Sequence, residues 1–121
     1  NINQVNDSIA TAIQANNGNS ATIDQIGDGN EAFTDQGFTA GSETNTVSVS
    51  QSGTDNLAAI EQGVNAIATG NTANIIQSGN SNISFVTQDG TSNTATVNQT
   101  TDGNSSQITQ SGTGNSMTVN Q

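Results

Sequence analysis

The stretch Gln25-Ile26-Gly27-Asp28-Gly29-Asn30-Glu31-Ala32, closed by Gln36, carries the reading of the whole chain. A glutamine ends one extended segment, a Gly-rich turn reverses direction, and an asparagine opens the next segment. The phrase recurs from end to end. Ten seven-residue segments share the form Asn-x-φ-x-φ-x-Gln, where φ is small or aliphatic. They are Ser8–Gln14, Asn19–Gln25, Asn30–Gln36, Asn45–Gln51, Asn56–Gln62, Asn71–Gln77, Asn82–Gln88, Asn93–Gln99, Asn104–Gln110 and Asn115–Gln121. Only Ser8 departs from Asn at the start. Of the twelve glutamines, ten close a segment, Gln4 closes an incomplete one, and Gln107 alone lies elsewhere.

Successive segments start 11 residues apart, except at two points where the spacing is 15. Alternation of period two and a glycine-bearing turn in most repeats favour strands over helix. An antiparallel meander gives no reason for like residues to sit on like. A solenoid with two strands per coil places each residue over its counterpart, ~4.8 Å away, where Asn and Gln amides donate and accept along a ladder. The fold expected is therefore all-β: a cross-β solenoid of about five 22-residue coils, two of them lengthened to 26. The chain reads as one repeat domain, residues 1–121, with coils at roughly 8–29, 30–55, 56–81, 82–103 and 104–121, and a partial strand and turn over 1–7.

Composition agrees with a thin seam rather than a broad core. Leu, Ile, Val and Phe number 22, and the formal charge is −10. Such numbers alone suggest disorder, but a repeat array needs only a narrow apolar stripe per unit. With no Lys, Arg or His, nucleic acid and anionic lipid are poor partners. Without Cys or His there is no ordinary zinc site, thiol nucleophile or imidazole base, and no cofactor is expected. No apolar run approaches the ~20 residues of a membrane span. Absence of Pro suits strands stacked on both sides.

Alternation assigns the faces. Positions one, three, five and seven point inward, as Asn45, Val47, Val49 and Gln51 do in the fourth segment. Position three is often alanine, and position five carries Ile23, Ile60, Ile75, Val86, Ile108 and Val119. Ala12 and Thr34 weaken that column, so the first coils are expected to be the softer end. Outward positions of even segments form a hydroxyl lattice: Ser20/Thr22, Thr46/Ser48, Thr72/Asn74, Thr94/Thr96 and Ser116/Thr118. Odd segments instead show Ile9, Ile13, Phe33, Leu57, Ile83 and Phe85, a candidate lateral contact row. The two long connectors, Gly37–Thr44 and Gly63–Gly70, fall on one side of adjacent coils. There Phe38, Val64 and Ile67 are expected to meet as a small satellite cluster.

Asp35 and Glu61 are expected at equivalent outward positions with no cation to compensate, so their repulsion should raise at least one pKa. As a glycosidase pair they lack an aromatic platform. Asp28, Asp55 and Asp102 recur in turns, but an 11-residue period does not fit the nine-residue calcium repeat. The sequons at Asn82 and Asn104 place their asparagines inward.

The repeated phrase resembles the curlin repeat, Ser-x5-Gln-x-Gly-x-Gly-Asn-x-Ala-x-Val-x-Gln. Ser8, Gln14, Gly18, Asn19, Ala21, Ile23 and Gln25 match it in the first coil; Gln110, Gly112, Gly114, Asn115, Val119 and Gln121 match in the last. The resemblance spans about residues 8–121. It implies a secreted subunit of an extracellular functional-amyloid fibre for biofilm matrix, adhesion and surface colonisation. Its implied partners are further copies of itself, a nucleator subunit and an outer-membrane secretion apparatus.

Solenoids that stay monomeric blunt their first and last coils. Here the pattern runs to Gln121, and Ile2-Asn3-Gln4 reads as the tail of an even strand, so both edges are expected to be bare. Head-to-tail pairing would set Ile2, Gln4, Ser8, Ala10, Ala12 and Gln14 of one copy against Asn104, Ile108, Gln110, Asn115, Val119 and Gln121 of another. Two other readings remain open. An ice-binding solenoid would use the Thr/Ser face, and a passenger segment of a longer adhesin would begin mid-strand, as this chain does.

Overall fold

The structure is a computed structural model that describes all 121 residues. It contains twelve strands and no helix: β1 (Ile2–Val5), β2 (Ile9–Gln14), β3 (Ser20–Ile26), β4 (Glu31–Gln36), β5 (Thr46–Ser52), β6 (Leu57–Gln62), β7 (Ala68–Thr69), β8 (Thr72–Ser78), β9 (Ile83–Thr91), β10 (Thr94–Gln99), β11 (Ser105–Thr113) and β12 (Ser116–Asn120). They form two parallel sheets, one in the order β1-β3-β5-β8-β10-β12 and the other β2-β4-β6-β9-β11. Each strand except β7, which pairs with the end of β9, pairs with its equivalent one coil away, so the chain winds as a β-solenoid of about five coils. The sequence-based expectation of stacked rather than meandering strands is met.

A thin seam lies between the sheets. Ala21, Ile23, Ala32, Val47, Val49, Ala58, Ile60, Ala73, Ile75, Val86, Ala95, Val97 and Ile108 form one buried cluster. Position-five aliphatics of one sheet face position-three small residues of the other, because strands of the two sheets run in opposite directions. In β9 and β11 the small residues are Ser84 and Ser106, whose hydroxyls bond each other at 3.1 Å. Thr34 fares worse. It is fully buried, and its Oγ1 has no partner.

Amides flank the seam on both sides. Along one sheet Nε2 of Gln4 donates to Oε1 of Gln25, and the row continues through Gln51, Gln77 and Gln99 to Gln121 at 2.7–3.0 Å. Along the other, Gln14, Gln36, Gln62, Gln88 and Gln110 form the same row at 2.7–3.0 Å. Gln25, Gln51, Gln62, Gln77, Gln88 and Gln99 are buried, and their second N–H is directed at a backbone carbonyl of the opposite sheet, as from Gln51 to Glu31 and Asn56. The asparagines work differently. Backbone N–H groups of Asn45, Asn71, Asn93 and Asn115 donate to Oδ1 of Asn19, Asn45, Asn71 and Asn93 respectively. Asn30, Asn56, Asn82 and Asn104 are linked likewise in the other sheet. Many of their Nδ2 groups also return to a carbonyl four residues back, as from Asn93 to Asp89 and Asn115 to Ser111, which ties the turn to the strand.

Turn geometry explains the fixed phase. The residue before each of the nine opening asparagines is left-handed, with φ between 55° and 74°. Five of these residues are glycine; Thr44, Asp55, Ser81 and Ser92 take the same conformation at some strain. At Gly53 (φ 102°) a Cβ would collide with the carbonyl oxygen of Gly79 in the next coil.

Two expectations are corrected. β9 and β11 extend for nine residues instead of turning after glutamine, because Ala68–Thr69 pairs with Gly90–Thr91 and Ser111–Thr113 pairs with Asp89–Thr91. The long connectors hold no satellite cluster. Phe38 is 71% exposed and Ile67 54%, while Ser42 and Ala68 turn inward, with the Ala68 N–H donating to Ser42 Oγ at 3.0 Å. Backbone bonds such as Thr39 N to Gly63 O join the two loops, so no apolar cover is required.

Three substitutions test this construction. Gln62→Leu leaves the Gln36 donor, the Gln88 acceptor and the Thr46 carbonyl without their partner and should cost about 3 kcal/mol or more, whereas Gln14→Leu in the exposed first coil should cost about 1 kcal/mol. Gly53→Ala should cost about 3 kcal/mol through strain and collision. Urea unfolding midpoints of the three variants check both expectations.

Candidate self-assembly interface

The two ends of the solenoid differ in kind. At one end β1 pairs only with β3, and β2 only with β4. Ile2, Gln4 and Gln14 are exposed there, Ser8 is half-buried, and Ala10 and Ala12 pack partly against the core. At the other end β11 pairs only with β9, and β12 only with β10. Ile108 and Gln110 are buried, Asn104 and Val119 half-buried, and Asn115 and Gln121 exposed. The structure thus gathers each of the two residue sets on its own end layer.

Every glutamine bond in both rows runs from Nε2 in one coil to Oε1 in the following coil. The rows therefore finish unequally. The first layer offers the Oε1 acceptors of Gln4 and Gln14, and the last offers the Nε2 donors of Gln110 and Gln121. Asparagine bonds run the other way, which leaves Oδ1 of Asn104 and Asn115 as acceptors on the last layer. In the glutamine rows, donor and acceptor match only when a first layer meets a last layer; the Ser8 N–H that would face Asn104 is already taken by the Asn6 carbonyl.

The outer faces are also unlike. On the β2-β4-β6-β9-β11 sheet the six candidate contact residues fall into three separate columns. Ile9, Leu57 and Ile83 share one with Glu31 between them, and Phe33 and Phe85 flank Ala59 in the second. Ile13 stands beside Asp35 and Glu61 in the third. The contiguous apolar area is Phe33, Leu57, Ala59, Ile83 and Phe85, bordered by carboxylates. On the opposite sheet Ser20, Thr46, Thr72, Thr94 and Ser116 make an unbroken hydroxyl column, while Asn74 interrupts the one beside it.

Asp35 and Glu61 are adjacent in register. The Asp35 carboxyl is raised above the ordinary aspartate range, but the cause is burial and not repulsion by Glu61. Its Oδ1 is enclosed without a hydrogen-bond donor. Asp102 accepts from the Asn80 backbone N–H at 2.8 Å, so this turn carboxylate serves as a structural acceptor. Of the sequon asparagines, Asn82 is buried and Asn104 half-buried.

Sequence reasoning passed over Met117 and Ser106, both inward-pointing residues of the last layer. Met117 was visible as the one long side chain in a column otherwise made of Ala21, Val47, Ala73 and Ala95.

The family model of the curlin associated repeat matches residues 68–100 and 90–121. Neither a curated protein nor a solved structure matches the chain significantly. The matched residues include β8 to β12, where glutamines follow at 22-residue spacing from Gln77 to Gln99 to Gln121. With that repeat, the parallel two-strand coil and the amide rows in hand, residues 68–121 are a pair of curlin associated repeats.

Proposed function

We propose that this curli-type structural subunit builds an extracellular fibre by stacking head to tail, with β11 and β12 of one copy pairing with β2 and β1 of the next. The unidirectional glutamine rows carry this reading. They leave donors on one end layer and acceptors on the other, and addition in one sense continues both rows without a break. Five coils at the strand spacing give a subunit repeat of ~24 Å. A head-to-head pair would oppose donor to donor. Residues of the first layer are Ile2, Gln4, Ser8, Ala10, Ala12 and Gln14; those of the last are Asn104, Ile108, Gln110, Asn115, Val119 and Gln121.

The curlin associated repeats over residues 68–121 support secretion to the cell surface and a role in biofilm matrix, adhesion and colonisation, with a nucleator subunit and an outer-membrane secretion apparatus as partners. No helix is long and apolar enough to cross a membrane. The apolar columns of Phe33, Phe85, Leu57 and Ile83, with Ile9 and Ile13 at their margin, are the lateral contact surface between stacks. A second reading, ice binding, draws on the unbroken Ser20-Thr46-Thr72-Thr94-Ser116 column. It requires thermal hysteresis from the monomer.

Quiescent incubation of the 121-residue chain should give unbranched fibres with a ~4.8 Å meridional reflection. A discrete particle that does not elongate would contradict the stacking reading. Asp35 sets a pH dependence with a definite sign. Because its folded pKa is raised, the native state takes up the proton first, and stability rises as pH falls from the raised value to the ordinary aspartate range. The burial penalty is thus present at neutral pH and relieved in acid. Asp35→Asn should be more stable than the wild type at pH 7 and equal to it near pH 3, as judged by urea midpoints at the two pH values.

A further inference from the structure

Inward side chains of the two sheets alternate in height. Each strand of the β3-β5-β8-β10-β12 series lies opposite two strands of the other sheet. Gln51 of β5 reaches Glu31 at the start of β4 and Asn56 at the start of β6; Gln77 of β8 reaches Leu57 of β6, and Gln88 of β9 reaches Thr72 of β8. A position-three residue is therefore seated between two position-five residues of the facing strands. Val47 sits between Thr34 and Ile60, Ala73 between Ile60 and Val86, and Ala95 between Val86 and Ile108. Ala73 and Ala95 each lie between two large neighbours, and the larger Val47 lies where one neighbour is the shorter Thr34.

Both end layers depart from this balance, in opposite senses. In the first coil Ala12 occupies the position-five column that holds Ile60, Val86 and Ile108 further down, and it faces Ala21. Two methyl groups leave that layer underfilled. In the last coil Met117 occupies the position-three column and faces Ile108, so that layer is overfilled, and Met117 is 44% exposed. By the alternation above, the residue that would complete its seat belongs to the strand following β12, at position five.

We propose that Met117 is a steric key for subunit addition: its side chain seats against Ala12 of a second copy, filling the space that the Ala12–Ala21 layer leaves open. The inference rests on the stacking reading of the preceding subsection and adds its specificity element. Backbone edges and amide rows would let any two curlin-type coils pair, since every layer presents the same hydrogen-bonding groups. Volume distinguishes the first layer from the others. Met117 placed against Ile60, Val86 or Ile108 would meet a second large side chain, and against Thr34 a branched one, whereas against Ala12 it meets a methyl group. The unbranched methionine chain also adapts to an irregular space. The key thus selects both register and partner: a last coil accepts a first coil and rejects an internal one exposed by fraying.

Seeded elongation of the 121-residue chain, read as the monomer concentration left at equilibrium, tests this. Met117→Ala alters a side chain that is 44% exposed in the lone chain, so its monomer should keep the wild-type circular dichroism and lose little in urea midpoint. Its residual monomer concentration should nevertheless rise roughly tenfold, the consequence of losing a part-buried contact at each junction. Ala12→Met should raise it by a similar factor, through collision with Met117 of the neighbour. The exchanged pair Ala12→Met with Met117→Ala should return to within about threefold of wild type, because the total volume is restored. Single variants that elongate like wild type, or an exchanged pair no better than the worse single one, would overturn the key while leaving the stack intact. A wild-type chain that forms no fibre removes the stacking reading and the key with it.

Discussion

Amide hydrogen bonds between identical side chains one coil apart impose the constraint from which the rest follows. A glutamine carboxamide reaches its twin only if the two backbones lie at strand spacing and in register, within a few tenths of an ångström over six rungs from Gln4 to Gln121. Coil length must then be constant, or change only by insertions that leave the seam undisturbed. The two 26-residue coils obey this rule: Gln25–Gln51 and Gln51–Gln77 bond at 2.7 and 2.8 Å despite the extra residues. Added length is expelled into the loops around Phe38 and Ile67, where backbone bonds satisfy it.

Burial of so many polar groups is tolerable only because each is paired. Gln51 and Gln77 are essentially without solvent exposure, yet each accepts from the coil before, donates to the coil after and reaches a carbonyl across the seam. In a core this thin the amides supply specificity that apolar packing alone would not, since a slip of two residues along a strand keeps aliphatic side chains inward but parts each glutamine from its twin. Thr34 and Asp35 are the exceptions, adjacent residues with one enclosed oxygen each left without a partner. Both lie in β4, in the second coil, where the aliphatic column is also at its weakest.

Strand positions, coil length and inward faces were legible from the spacing of Asn and Gln, because a period of two within a period of 11 admits few backbones. The left-handed residue before each asparagine was partly hidden. Glycine announces it at Gly18 or Gly29, but Thr44 and Ser92 do not, since those residue types ordinarily avoid it. The extension of β9 and β11 past their glutamines depends on β7 arriving from a distant loop, a tertiary effect that local pattern does not carry. For the candidate interface, sequence supplied the columns but not the direction of the bonds within them. A carboxamide is both donor and acceptor, and only the three-dimensional placement of Oε1 and Nε2 breaks that symmetry. The cause of the Asp35 shift was likewise invisible, because burial by neighbouring coils is not written in the spacing of carboxylates.

The opposed senses of the glutamine and asparagine bonds have an electrical corollary. Glutamine carbonyls point back along the solenoid axis and asparagine carbonyls point forward, as in the Gln25–Gln51 and Asn19–Asn45 contacts. Their moments subtract, and sheet backbones contribute little of their own. A filament of such coils can therefore lengthen without accumulating an axial dipole, so its tips do not become progressively charged poles that would attract counterions or cap growth.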